Sequence, residues 1–181
     1  DGYNFFESVG TWSPDGSRFA HVAIKKGKSV LVIVNPKKPR KTKEIFIPGI
    51  ASFNNPNWSP DGTSIVISGL VNGRNDLFVY NLNDKSVKRL TNDRYSYIHP
   101  QWSPDGKYLT FATDLKQPSD TSGLVNYHFN IGIMDMTDPS HPVEIIEVFN
   151  GAENVNPQFS PDGKSLYFLS DRDGFRNVYK Y

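Results

Sequence analysis

No cysteine occurs among the 181 residues. That excludes a disulfide framework, a thiol nucleophile and a thiolate metal site. An excess of one charge is lacking as well: 20 Lys and Arg oppose 19 Asp and Glu, for a net charge of +1. Nothing therefore draws the whole chain toward nucleic acid or an anionic membrane. No apolar run approaches the roughly 18–20 residues of a membrane-spanning helix. No segment keeps a helical apolar period over a useful length. Catalytic signatures are missing too: there is no Gly-x-Ser-x-Gly elbow, no His-Glu-x-x-His and no glycine-rich phosphate loop. The four histidines (His21, His99, His128 and His141) show no paired metal spacing. The sequence predicts no enzymatic activity, cofactor or metal for this chain alone.

What the chain does have is a repeat. Ser-Pro-Asp-Gly occurs four times, each time after an aromatic residue: Trp12 before Asp15 and Gly16, Trp58 before Asp61 and Gly62, Trp102 before Asp105 and Gly106, and Phe159 before Asp162 and Gly163. The aromatics are 46, 44 and 57 residues apart. A period in the mid-forties with one aromatic and one turn per unit signals an all-β propeller, one four-stranded blade per repeat. In each turn Pro presets φ, Asp bonds to nearby backbone and Gly supplies the left-handed residue. The aspartates read as turn residues rather than metal or acid–base groups, and the aromatics as packing between blades.

The second repeat shows the unit most cleanly. Strands are expected at Asn54–Trp58, Thr63–Ser68, Asp76–Leu82 and Val87–Thr91, with Asn72-Gly73 as a hairpin signal. Repeat one places strands near Val9–Trp12, Arg18–Ile24, Ser29–Val34 and Lys43–Pro48. Repeat three places them at Ile98–Trp102, Tyr108–Thr113, Asn130–Met136 and Val143–Phe149. Repeat four has Val155–Phe159, Ser165–Ser170 and Asn177–Tyr181. The chain thus reads as one propeller segment, 1–181, with blades near 9–48, 54–91, 98–149 and 155–181, the last without its fourth strand. Unpaired edges are usually covered, so the expectation is a fragment of a larger propeller. The rival is a homodimer in which two four-blade chains complete one ring.

The repeat resembles the TolB-type, or PD-type, relatives of the WD-repeat family. Asn55 to Gly62 and His99 to Gly106 carry the resemblance best, supported by Arg89 to Asp93 and Leu169 to Gly174. It covers nearly the whole chain and is specific for the fold. It implies a ring of six or more blades in a periplasmic, cell-surface or secreted protein. It also implies service as a protein-binding platform or as a companion to a peptidase domain. The third repeat departs from the pattern by an insertion, and the first lacks the Arg-Leu-Thr strand.

Asp114 to Phe129 is that insertion, with Tyr127 and His128 near its end. Loops carried on a rigid scaffold are common sites of function. Because chain direction reverses at each strand, loops between second and third strands share one face with connections between blades. That face gathers Arg74, Arg94, Tyr95, Tyr97, His99, Tyr127, His128 and Arg172, and Arg and Tyr are favoured interface anchors. The opposite face carries the Ser-Pro-Asp-Gly turns and the basic run Pro36 to Lys43, which reads as a solvated loop or an anion-binding element. Asp171 to Gly174 lacks the later oxygen ligands of a calcium loop and reads as a hairpin turn. The expected function is a non-enzymatic protein- or peptide-binding scaffold. The alternatives are a substrate-gating propeller of a peptidase whose catalytic domain lies outside this chain, and a carbohydrate-binding propeller.

Overall fold

Each Ser-Pro-Asp-Gly turn closes by the same set of bonds. In the first, the Gly16 amide donates to the Ser13 carbonyl at 2.8 Å, and the Ser13 hydroxyl donates to Asp15 Oδ1 at 2.5 Å. The Asp15 carboxylate also accepts from the Ser17 amide at 3.0 Å. Ser59, Ser103 and Ser160 donate to Asp61, Asp105 and Asp162 at 2.5–2.6 Å in the same way. Gly16, Gly62, Gly106 and Gly163 have φ between +66° and +73°, the left-handed region that glycine enters without a Cβ penalty. The turn therefore reverses the chain identically four times and sets the start of each second strand.

The computed structural model describes residues 10–115, 128–138, 140, 142–146, 148–149 and 151–181. Val9, Tyr127, His141 and most of the 114–129 insertion lie outside the described residues. The strands form four antiparallel meanders, each a propeller blade. The first blade holds β1 (Thr11–Trp12), β2 (Phe19–Lys25), β3 (Lys28–Val34) and β4 (Lys43–Ile45). The second holds β5 (Phe53–Trp58), β6 (Ser64–Val71), β7 (Arg74–Asn81) and β8 (Val87–Arg89). The third holds β9 (Tyr97–Trp102), β10 (Tyr108–Thr113), β11 (Asn130–Asp135) and β12 (Glu144–Ile146). The fourth has three described strands: β13 (Asn154–Phe159), β14 (Leu166–Ser170) and β15 (Asn177–Lys180).

The outer strands are shorter than their apolar runs suggest. β4 ends at Ile45, β8 at Arg89 and β12 at Ile146. Each pairs on one side only; after β4, Ile47 is buried and the Ile50 amide donates back to the Ile47 carbonyl. The middle hairpin of blade 2 is tighter than the Gly69–Asn75 loop expected from the sequence. β6 and β7 pair as far as Val71 opposite Arg74, leaving only Asn72 (φ +51°) and Gly73 (φ +79°) as the turn, a two-residue hairpin with both central residues left-handed.

The first strand of blades 2, 3 and 4 carries a bulge. Register shifts where Asn55-Pro56, His99-Pro100 and Asn156-Pro157 each oppose one residue of the second strand. Asn55, His99 and Asn156 have φ of +49°, +54° and +53°. Proline cannot donate to a ladder, and a bulge leaves one residue unpaired, so the two features suit each other.

The chain divides into two compact units, 1–92 and 93–181. In the first unit β5 packs on β1, β2 and β3, and the core joins Leu31, Ile33 and Ile47 to Trp58, Ile65, Ile67 and Phe78. In the second unit β13 packs on β9, β10 and β11, and the apolar core includes Ile131, Ile146, Leu166 and Phe168. The repeat aromatics do not share one environment. Trp58 is 4% exposed and Trp12 is 54% exposed, while Trp102 and Phe159 are half-buried. Trp58 is covered because blade 1 precedes it. Among the described residues the Trp12 ring meets that of Phe19, at 5.1 Å between centroids.

Candidate functional site

In the second unit three segments converge on the loop face. The end of the insertion, His128-Phe129, meets the connection from β12 to β13, which meets the hairpin between β14 and β15. Glu153 joins them. Its carboxylate accepts from the Phe129 amide at 3.3 Å and lies 3.9 Å from His128 Nδ1. Its amide donates to Asp171 Oδ1 at 2.9 Å. The chain reversal that places these loops on one face is therefore physically linked by side chains.

Arg172 sits on this cluster. Its guanidinium lies 4.0 Å from the Phe149 ring centroid and 5.7 Å from that of Tyr179, and Nε is 3.3 Å from Asp173. Phe149 and Tyr179 meet edge to face at 4.8 Å. The Tyr179 hydroxyl donates to Asp173, and that bond, first, with burial second, pushes its pKa up. An arginine stacked on two aromatics keeps its outer N–H groups for a partner while its stem is held, which suits an interface anchor.

The β8–β9 connection supplies a second arginine. Arg94 donates to the Tyr95 hydroxyl at 2.9 Å and its guanidinium lies 5.1 Å from that ring. The hydrogen bond to Tyr95 is the first cause of a raised Arg94 pKa. Asp93 orders the turn, accepting from the Tyr95 amide at 2.8 Å and from the Tyr97 hydroxyl at 2.7 Å. Tyr97 itself is 1% exposed and packs edge-on against Phe111. It belongs to the blade core, which removes it from the set of surface contacts the sequence proposed. Its position, two residues beyond the half-buried Tyr95, gave no signal of that difference.

His99 stands in the bulge of β9, half-buried, and its Nδ1 meets no hydrogen-bond partner among the described residues. Burial, and then the charge of Arg176, hold its pKa below the usual histidine value, so the ring is neutral at pH 7. Arg74 opens β7 and is exposed in the first unit, beside the Asn72-Gly73 turn. Tyr127 lies outside the described residues.

Sequence reading missed one constellation. Asp76, 2% exposed, accepts from Arg89 at 2.6 Å and from the Thr91 hydroxyl at 2.9 Å. Thr91 Oγ1 also accepts the Leu77 amide at 3.0 Å. The signal was Asp76 in one strand with Arg89 and Thr91 at the end of the next segment, although only pairing of β7 with β8 brings them together. This clasp ties the outer strand of blade 2 to its neighbour and is structural.

Antiparallel meanders that repeat one turn, packed blade on blade within each unit, define a β-propeller module. The chain belongs to the TolB beta propeller domain family, whose model matches residues 9–120. It is similar to the Tol-Pal system protein TolB of Ruthia magnifica subsp. Calyptogena magnifica, 37% identical over 83 residues, 45% of this chain and 19% of that protein. It also resembles the uncharacterized protein Atu1656 of Agrobacterium fabrum, 26% identical over 163 residues, 87% of this chain and 53% of that protein. Among solved structures, TolB from Acinetobacter baumannii superposes with a TM-score of 0.71 at 22% identity, over 95% of this chain and 40% of that one. The chain therefore spans between 19% and 53% of the length of these relatives.

Proposed function

We propose that this propeller module binds a protein or peptide partner on its loop face and performs no chemistry of its own. The observation that carries this reading is the Arg172 cluster: an arginine stacked on Phe149 and Tyr179, backed by the hydrogen-bonded Glu153 bridge. Arg94 with Tyr95 offers a second anchor of the same type. Such pairings concentrate binding energy in few residues. The name of the Ruthia relative, a Tol-Pal system protein, supports a role in a multi-protein system. The family resemblance supports a periplasmic, cell-surface or secreted setting.

The test is to immobilise the protein, present an envelope extract of its own cell, and quantify retained proteins by mass spectrometry. Arg94→Ala and Arg172→Ala should each weaken retention of the same partner by about tenfold or more while the protein still melts cooperatively. Unchanged retention by both variants would remove the loop face from the function.

A further inference from the structure

The opposite end of the first unit holds a cleft that takes no part in the reading above. It opens where blades 1 and 2 meet beside the Gly62 turn and encloses about 560 Å³, within the range of roughly 300–1,000 Å³ typical of ligand sites. Its rim carries four cations: Arg18, Lys41, Lys43 and Lys85. Its one carboxylate, Glu44, is already paired with Lys25. Among the described residues Lys41, Lys43 and Lys85 form no ion pair. Beneath the rim lie Ile33, Ile45 and Leu82, the first buried and the other two half-buried.

Each cation is placed by local structure. Arg18 follows the first Ser-Pro-Asp-Gly turn and rests 4.6 Å from the Trp58 ring centroid. Lys41 and Lys43 flank Thr42, whose hydroxyl donates to the Pro39 carbonyl at 2.7 Å and closes a 3₁₀ turn over Pro39–Lys41. Lys85 has φ +62° in the β7–β8 turn, where Asn81 Oδ1 accepts the Asn83 amide at 2.8 Å. Three loops distant in sequence thus point positive charge at one apolar floor.

We propose that this cleft binds an acidic peptide segment, its carboxylates at the lysine rim and one apolar side chain on the Ile33, Ile45 and Leu82 floor. Charge complementarity names the sign of the ligand. The floor argues for a peptide over a small inorganic anion, which gains nothing from apolar surface. Single-stranded nucleic acid uses exposed aromatic platforms, and the one aromatic here, Tyr80, is 5% exposed. The lysines carry point charges on flexible stems, which suit several separated carboxylates rather than one bidentate group.

The test uses fluorescence anisotropy of the full chain with a labelled octapeptide of alternating glutamate and leucine. Saturable binding is expected, weakened about tenfold or more by the pair K41E/K43E and unchanged by K26E/K28E, the same charge change at the far hairpin between β2 and β3. The exchange Leu82→Ser should weaken the glutamate–leucine peptide more than an all-glutamate one. Thermal melts of every variant separate loss of fold from loss of binding. Absence of saturable binding, equal loss from both charge pairs, or tighter lysine-dependent binding of a single-stranded oligonucleotide would overturn the proposal. No residue of this cleft takes part in the Arg172 cluster, so failure here leaves the Arg172 reading untouched.

Discussion

The Arg18 guanidinium of one repeat lies 4.6 Å from the Trp58 ring centroid of the next. The residue that leaves the first turn covers the aromatic that enters the second. Trp58→Ala should lower stability by about 3–5 kcal/mol, as for other buried large-to-small changes. Arg18→Ala should cost about 1 kcal/mol, and a double-mutant cycle in urea should return a coupling of similar size. A coupling near zero would show that the stacking carries no energy of its own.

The Asp76 clasp predicts an asymmetric result. Arg89→Ala removes the charged partner of the buried Asp76 carboxylate and should cost about 3 kcal/mol. Adding Asp76→Asn removes the stranded charge and should recover part of that loss. Equilibrium denaturation of the single and double variants checks both signs, and no recovery in the double variant would contradict the account.

Acid should destabilise the turns. The Ser13 hydroxyl, then the Ser17 amide and hydroxyl, bring the Asp15 carboxyl down to about 2. Asp61, Asp105 and Asp162 are lowered too, first by Ser59, Ser103 and Ser160. In the unfolded chain these groups titrate near 3.8. A carboxyl depressed by folding contributes stability that is complete above its unfolded value and is lost as pH falls through its folded value. The urea midpoint should therefore hold from neutral pH to about 5 and fall between about 4 and 2. Asp15→Asn combined with Asp61→Asn should flatten that fall, and an unaltered slope would assign the acid sensitivity elsewhere.

Gly132 tests close packing in β11. A Cβ there would stand 2.5 Å from Cε2 of the Phe111 ring, and Phe111 is fully buried. Gly132→Ala should cost about 1–3 kcal/mol through overpacking, and Gly132→Ala with Phe111→Leu should recover some of it. The melting temperatures of the two proteins decide the point.

The repeat architecture was legible because its signals are local. Trp-Ser-Pro-Asp-Gly needs only five adjacent residues to place a strand end, a turn and the next strand, and every described strand lies where the repeat put it to within a few residues. The outer strands ran shorter than read because Ile47 in blade 1 and Val148 and Phe149 in blade 3 pack into the core instead of extending the ladder. What the sequence could not show depends on contacts between distant segments. Tyr97 and Tyr95 look alike in the chain, yet Phe111 and Asp93 take one of them inside. Trp12 and Trp58 carry the same motif, yet Trp58 is buried against blade 1 and Trp12 is half exposed. The lysines of 36–43 were visible as a run, but Arg18 and Lys85 join them only when two blades pack.

The most direct measurement places a photo-crosslinking amino acid singly at Tyr95, at Arg172 and, as a control, at Lys88 on the outer strand β8, with adducts identified by mass spectrometry from intact cells. A partner-binding loop face predicts the same discrete protein adduct from Tyr95 and Arg172 and none from Lys88. Adducts of equal pattern at all three positions, or none at either loop-face position, would contradict the assignment of partner binding to that face.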